Sequence, residues 1–454
     1  MPAINGSSTT PSRPLRPGVW APIPTFFLPN SQDLDIPTLK KHVIHIAHAN
    51  IGILLCGSMG EAHHLSPEER IIVITSAREA LDSVGLTTTP IIAGTGAGST
   101  RESIKLSKEA AQAGADYAIV IPSGYFAGAI ANDRAALKTF FKEVSEGSPI
   151  PVMIYNYPGA SGGIDMDSDL IEEMAMENPN ICGVKLTCGN VGKLTRIAAT
   201  VSIPSFEKEY PRKNKDAPFM VLGGFIDFLL PSLYANAHGA ITGLANLYPY
   251  TIAALWAASN ATLPTASGHS SDAAELLREA QQLQGVVARA DRTIAVSGIA
   301  GTKWLMEKRY GYGGVCRRPL SPLSNSAGET LLAHRHAIDI ERLEKEIEVQ
   351  KGVERKQQHH GLKNGVTVSN GNGVVNGVSV SNETPSPPSG HSSASSTSHA
   401  SSPRTPSDAH SPVVPPSPVT AAVKKGKGHS RSGSLTSSLR SLVGSRKGKK
   451  TTVE

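Results

Sequence analysis

The sequence predicts an α/β protein: a (β/α)₈, or TIM, barrel followed by a helical appendage and a disordered C-terminal tail. Three observations carry that expectation. Apolar, β-branched runs alternate with helical patterns from Val19 to about Ala257, and strands that alternate with helices pair in parallel within a buried sheet. The alternation repeats eight times, which favours a closed barrel over an open sheet. Helix-start and helix-stop residues also fall where the pattern changes.

The expected strands are Val19–Phe27, Ile51–Gly57, Pro90–Thr95, Tyr117–Pro122, Pro151–Tyr155, Cys182–Leu186, Phe219–Gly223 and Ala240–Ala245. The seventh follows an irregular, charged stretch, Phe206–Pro218. The helical stretches between them are Ile36–Ala49, Pro67–Ser83, Arg101–Ala113 and Asp133–Ser145, then Ser168–Glu177, Val191–Ala199, Asp227–Ala237 and Pro249–Ala258. Ser66-Pro67-Glu68-Glu69 reads as a capping box with proline at the first helical position. Ser99-Thr100-Arg101-Glu102 reads as a second box. Gly114 stands where a left-handed residue would close the helix ending near Ala113. Ser271–Ala290, Ile294–Tyr310 and Gly328–Lys351 read as further helices packed beside the barrel. The organisation expected is a flexible N-terminus over 1–17, a barrel over 18–262, a helical region over 263–351 and a tail over 352–454.

The tail is rich in Ser, Pro, Gly and Asn and nearly free of aromatics. It cannot bury enough apolar area to offset its chain entropy, so disorder is expected. The net charge of +6 is uneven: residues 352–454 carry +9, leaving about −3 on the rest. The basic balance therefore says little about the folded part, and no nucleic-acid partner is expected. Ser402-Pro403, Thr405-Pro406, Ser411-Pro412 and Ser417-Pro418 are candidate proline-directed phosphosites. The basic, Ser-rich stretch Arg431–Lys450 suits a phospho-dependent partner or an anionic membrane. A solvated extension is the plainer reading of such permissive composition.

The four cysteines, Cys56, Cys182, Cys188 and Cys316, form no CxxC pair and suggest reduced thiols. No apolar run reaches the ~18–20 residues that span a bilayer. Met1–Pro17 lacks the apolar stretch of a secretory signal. Its Ser/Thr content with Arg13 and Arg16 leaves a mitochondrial presequence open, opposed by its prolines. A cytoplasmic location is the expectation, with a mitochondrial one as the alternative.

Barrel chemistry sits at the C-terminal ends of strands. Three such ends stand out: Cys56-Gly57-Ser58-Met59-Gly60-Glu61, Ile154-Tyr155-Asn156-Tyr157-Pro158 and Gly183-Val184-Lys185-Leu186-Thr187. Lys185 lies inside an apolar strand, where a charged ammonium is costly to desolvate. Burial there favours the neutral amine, which can attack a ketone and form an imine. The resulting iminium is an electron sink beside a breaking C–C bond. A buried stem with its head reaching water is the rival reading. Tyr155 ends the neighbouring strand, where its phenol can move protons or simply fill the core. Gly57-Ser58-Met59-Gly60 can hold a carboxylate on its N–H groups and the Ser58 hydroxyl, or be an ordinary βα turn. Glu61 is expected to be a support residue.

Other signals are weaker. Gly94-Thr95-Gly96-Ala97-Gly98 lacks dinucleotide-loop spacing and reads as a tight barrel loop. His42, His45 and His48 on one helix, and His63-His64, read as solvated or loop histidines; no metal and no cofactor are expected. Lys208, in a charged irregular segment, and Lys303, in a helix, are rival imine lysines that rank below Lys185.

Taken together, GSMGE (57–61), YNYP (155–158), GVKLT (183–187), HGAITGLAN (238–246) and RRPLSPL (317–323) resemble the dihydrodipicolinate synthase/N-acetylneuraminate lyase family, over roughly residues 15–320. The resemblance implies a metal-independent class I aldolase that uses pyruvate as substrate or product and works as a homo-oligomer, a dimer or tetramer. It implies that Lys185 is the Schiff-base lysine and Tyr155 the proton-shuttling tyrosine. Ser58 and Met59 take the substrate-turn positions that are often both Thr. Tyr125 matches a tyrosine supplied by a neighbouring subunit, and Gly224 and Ile241 line the pocket. One departure matters. The arginine that follows YNxP in dihydrodipicolinate synthases is replaced here by Ala160, so bidentate carboxylate capture is lost. The YNYPGASGGIDMDSD and LTCGNVGKLTRI stretches look instead like fungal 2-keto-3-deoxy-sugar-acid and 4-hydroxy-2-oxoglutarate aldolases. The expected reaction is aldol cleavage of a 4-hydroxy-2-oxo acid. The alternatives are dihydrodipicolinate synthesis and a non-catalytic barrel that serves as a metabolite-binding scaffold.

Overall fold

The structure, a computed structural model, describes residues 12–263 and 273–350. Eight strands close into a parallel barrel in chain order. They are β1 (Gly18–Pro22), β2 (Gly52–Leu55), β3 (Ile91–Gly94), β4 (Tyr117–Val120), β5 (Val152–Asn156), β6 (Ile181–Leu186), β7 (Met220–Gly223) and β8 (Gly239–Ile241). β7 forms after the charged stretch, and β8 pairs back onto β1 to complete the ring. The predicted tail lies outside the described residues.

Several elements are shorter than the apolar runs suggested, for local reasons. β1 stops at Pro22 rather than Phe27, because Pro22 and Pro24 bring no N–H to a ladder. β2 stops at Leu55 because Cys56 turns left-handed, at φ 52. β8 ends at Ile241. Thr242 then caps a 3₁₀ turn, Gly243–Asn246, by accepting from Leu244 N. The Ser66 capping box forms in full. At Ser99 the forward bond from Glu102 N forms, at 3.2 Å.

Side chains alternate between two packed layers. Trp20, Leu54, Ile92, Tyr117, Met153 and Leu222 fill the barrel interior. Ile154, Val184, Val221 and Leu186 face the surrounding helices. β6 departs from simple alternation. Val152 of β5 pairs with Ile181, but the next residue, Met153, pairs with Gly183, so Cys182 is an inserted residue. Strict alternation from the inward-facing Cys182 would send Lys185 outward. The bulge shifts the phase by one and turns Lys185 inward. Gly183 makes this possible. A Cβ there would sit 2.4 Å from Met220 O, inside van der Waals contact.

The histidine expectation needs correcting. His42 is fully buried, because it lies on the inward stripe of helix Ile36–His48 with Leu39, Val43 and Ile46. Asn246 Nδ2 donates to the Pro22 and Gly243 carbonyls, so its Oδ1 accepts from His42 Nε2 at 3.0 Å. Burial pushes His42 down to about 4. His45 is half-buried against Tyr250 and Tyr310, whereas His48 is exposed. Among the described residues no three His, Cys, Asp or Glu side chains converge as metal ligands.

The C-terminal helices are Ala273–Ala295, Gly298–Tyr310, Asn325–Leu332 and Arg335–Gln350. Glu344 of the last one accepts from the N–H groups of Tyr250 and Thr251, at 3.1 and 2.6 Å, in the first turn of helix Pro249–Ala261. An acid at a helix N-terminus satisfies donors the helix itself leaves unpaired. This contact ties the appendage to the barrel. No described helix is long and apolar enough to cross a membrane.

The bulge can be tested. Gly183→Ala must displace the Met220 carbonyl or unwind the bulge, and is expected to lower stability by about 1–3 kcal/mol in urea unfolding. A variant as stable as the parent would remove Gly183 from this role.

Candidate active site

β5 and β6 present Tyr155 and Lys185 as directly paired residues on the inward face. Lys185 Nζ donates to Tyr155 Oη at 3.2 Å and lies 4.2 Å from the centre of its ring. Both residues are buried, at 5% and 6% exposure, and Tyr155 belongs to the apolar cluster of the barrel interior. Tyr157 stacks on Tyr155 with ring centres 5.6 Å apart and 27° between planes. Burial, and secondarily Tyr155, hold the Tyr157 phenol above its ordinary value.

These three line a cavity of about 190 Å³ at the C-terminal strand ends, together with Ser58, Met59, Gly224 and Ile241. Gly57 does not line it; its carbonyl accepts from Ala62 N and so closes the turn behind Ser58. Gly224 sits against Thr187, where a Cβ would fall 2.1 Å from Thr187 Oγ1. That hydroxyl is buried and finds no partner among the described residues. Tyr125 is not brought to the cavity by its own chain. It lies in the 3₁₀ turn Gly124–Phe126, 91% exposed, with its ring edge-on to Phe126.

The cavity has a second wall that the sequence did not disclose. Asp291, Ile294, Gly298, Ile299 and Thr302 close it from the C-terminal helices, which thus cover the barrel mouth as well as flank the barrel. Thr187 and Phe225 were also missed as cavity residues. Asp291 did leave a trace. It is an acid on the buried stripe of its helix, between Val287 and Ile294.

The rival lysines are placed elsewhere. Lys208 is exposed. Lys303 is fully buried but is held by Glu61 Oε1 at 2.5 Å and by the Val315 carbonyl at 2.8 Å. Glu61 also accepts from Arg317 N, at 2.9 Å, and faces His64 Nδ1 at 3.0 Å. This buried carboxylate pins the Ser58–Met59 turn to the C-terminal region. Burial lowers the Lys303 amine, and Glu61 opposes that shift. The Gly94 loop is a packing device: a Cβ on Gly94 would fall 1.9 Å from Cys56 O. Ala160 is exposed in the turn Pro158–Ala160 and places no cation at the cavity.

A closed parallel barrel whose mouth holds a buried lysine amine against a tyrosine hydroxyl has the architecture of the class I, Schiff-base aldolases. The profile of the dihydrodipicolinate synthetase family matches residues 18–337, and the chain belongs to that family. It is 40% identical to the L-threo-3-deoxy-hexylosonate aldolase of Aspergillus niger over 346 residues, 73% of this chain and 98% of the relative. It is 41% identical to a mitochondrial 4-hydroxy-2-oxoglutarate aldolase of Emericella nidulans over 333 residues, again 73% and 98%. Like these relatives, it is a carbon–carbon lyase. Among solved structures, a dihydrodipicolinate synthase family protein from Coccidioides immitis is 32% identical with a TM-score of 0.59, covering 74% of this chain and 99% of that one. YagE of Escherichia coli K12, solved in complex with pyruvate, is 26% identical with a TM-score of 0.55, covering 69% and 96%.

Removing one partner of a buried ion pair strands the other charge. Lys303→Met is therefore expected to destabilise the protein by roughly 3–5 kcal/mol, read by chemical denaturation. A loss below about 0.5 kcal/mol, the range of ordinary surface changes, would show that the Glu61 pair does not anchor the turn.

Proposed function

We propose that this chain reversibly cleaves a 4-hydroxy-2-oxo acid to pyruvate and an aldehyde through an imine on Lys185. The substrate is a 2-keto-3-deoxy sugar acid or 4-hydroxy-2-oxoglutarate, the two classes named in its fungal relatives. The observation that carries this reading is the 3.2 Å contact between Lys185 Nζ and Tyr155 Oη inside the cavity.

The chemistry then runs as follows. Lys185 Nζ adds to the C2 ketone, and Tyr155 Oη gives its proton to the carbinolamine hydroxyl, which leaves as water and gives an iminium. Tyr155, left as a phenolate by that step, accepts the proton of the C4 hydroxyl, directly or through Ser58. The C3–C4 bond breaks, its electron pair moves toward the iminium as an enamine, and the aldehyde departs. Protonation at C3 followed by addition of water releases pyruvate and restores the amine. The water lost in forming the imine is regained in hydrolysis, so no co-reactant is needed. The iminium supplies the electron sink, which makes a metal or organic cofactor unnecessary. Ser58 and the turn N–H groups suit the C1 carboxylate.

Dihydrodipicolinate synthesis fits less well, because Ala160 leaves the cavity without a guanidinium for the second carboxylate. A homo-oligomer, dimer or tetramer, is favoured by the exposed Tyr125–Phe126 pair. It is also the arrangement in which Tyr125 of another copy would complete the proton relay. Two fungal relatives carry a mitochondrial designation, which raises that location above the cytoplasmic expectation; fractionation of the tagged protein decides. A scaffold role for the tail is separated by truncation near Lys351, which should leave turnover intact.

Borohydride reduction in the presence of pyruvate should trap a covalent adduct on the peptide that contains Lys185. Lys185→Ala should abolish adduct and turnover, and Tyr155→Phe should lower kcat by about 10²–10⁴. Full activity in Lys185→Ala would falsify the mechanism.

A further inference from the structure

The cavity contains one acid that the aldol mechanism does not use. Asp291 lies near the C-terminal end of the helix Ala273–Ala295, 5% exposed, and lines the cavity together with Lys185, Ser58 and Met59. Its surroundings are poor in compensation. Asp227, in the loop after β7, is a second carboxylate beside it, and Asp227 Oδ1 is itself buried without a partner among the described residues. The backbone N–H groups of Ile226 and Asp227 give Asp291 partial support. Arg292 follows on the same helix, but its charge acts on Asp227. The other titratable groups of the cavity are Lys185, Tyr155 and Tyr157. Among the described residues that line the cavity, Lys185 is the only basic side chain, and the aldol reaction commits it to C2, away from the far end of the substrate.

This distribution discriminates between the two substrate classes. Both carry the C1 carboxylate and the C2 ketone. They differ beyond C4: a deoxy sugar acid ends in neutral hydroxyl-bearing carbons, whereas 4-hydroxy-2-oxoglutarate ends in a second carboxylate. A buried carboxylate accepts hydrogen bonds from hydroxyls and repels a second carboxylate in a low-dielectric pocket. From the position of Asp291 in a cavity without a second cation, we infer that it is a specificity-determining residue. It selects substrates that release a neutral, hydroxylated aldehyde over the dicarboxylate that releases glyoxylate. The inference rests on the aldolase reading above and deepens it.

The selection is pH-dependent. Burial, with Asp227 adding to it, pushes the Asp291 carboxyl up to about 7. Below that pH the group is protonated and uncharged, and the dicarboxylate is tolerated. Above it the group is ionised, and the dicarboxylate is excluded. Structural bonding of the loop amides alone would produce no such substrate-dependent profile.

The test compares kcat/KM for a 2-keto-3-deoxyhexonate and for 4-hydroxy-2-oxoglutarate from pH 6 to 8, in the full-length protein and in Asp291→Asn. The ratio in favour of the sugar acid should rise by roughly tenfold across that range in the parent. In Asp291→Asn it should be flat and lower. A ratio unchanged by the substitution overturns the inference. Should Asp291→Asn fail to fold, the parent alone decides. Inhibition by 2-oxoglutarate, measured relative to inhibition by pyruvate, should weaken as the pH passes 7, and a flat relative inhibition overturns the inference. Borohydride trapping with pyruvate is run on the same preparation. An adduct on Lys185 with no Asp291 effect sinks the specificity claim alone, whereas no adduct sinks the aldolase mechanism beneath it.

Discussion

The site depends on one geometric constraint: the side chain of Lys185 must point into the barrel. Its neighbours on β6 alternate between helix-facing and interior positions, and a lysine on the outer face would only snorkel to solvent. The single inserted residue, Cys182, sets the phase, and Gly183 makes the bulge sterically possible. Once inward, the amine meets Tyr155 because the two strands pair them residue for residue. Position along the barrel does the rest. Both residues sit near the carboxyl ends of their strands, where the interior opens into a cavity instead of closing into packed layers.

A second layer of structure keeps that cavity in shape. The Ser58–Met59 turn lies between two left-handed residues, Cys56 and Glu61, and is closed by Glu61 N donating to Ser58 O and Ala62 N to Gly57 O. Glu61 is held by Lys303 and the Arg317 amide, so the turn is braced against the C-terminal region rather than against the barrel alone. The helix that contains Lys303 also supplies cavity wall through Gly298, Ile299 and Thr302. The Ser58–Met59 turn and the cavity wall thus share one anchor. This accounts for a lysine in a fully buried position that takes no part in the chemistry.

Much of this was legible in the sequence, for identifiable reasons. Eight apolar runs alternating with amphipathic helices leave few topologies open, and the closed barrel is the one that forms. Lys185 stood out because a cation within an apolar strand has few explanations. Strand ends were less legible. Pro22, Cys56 and Thr242 each end a ladder through backbone geometry that hydrophobic runs do not encode. The histidines of the first helix are not all solvated, because His42 can be buried once Asn246 Oδ1, far away in the chain, accepts a hydrogen bond from its Nε2–H. The C-terminal wall of the cavity was invisible because the periodicity of a helix reveals which face is buried, not what it is buried against. Asp291 was a visible anomaly on that face, but its meaning appeared only when the structure made it line the same cavity as Lys185.

Catalysis here rests on the covalent chemistry of one amine. The most direct measurement is a crystal structure of the protein soaked in pyruvate. Continuous density between Lys185 Nζ and C2 of the ligand, with its carboxylate on the Ser58–Met59 turn, is the result expected. Pyruvate bound without a bond to Lys185, or bonded to a different lysine, would contradict the account.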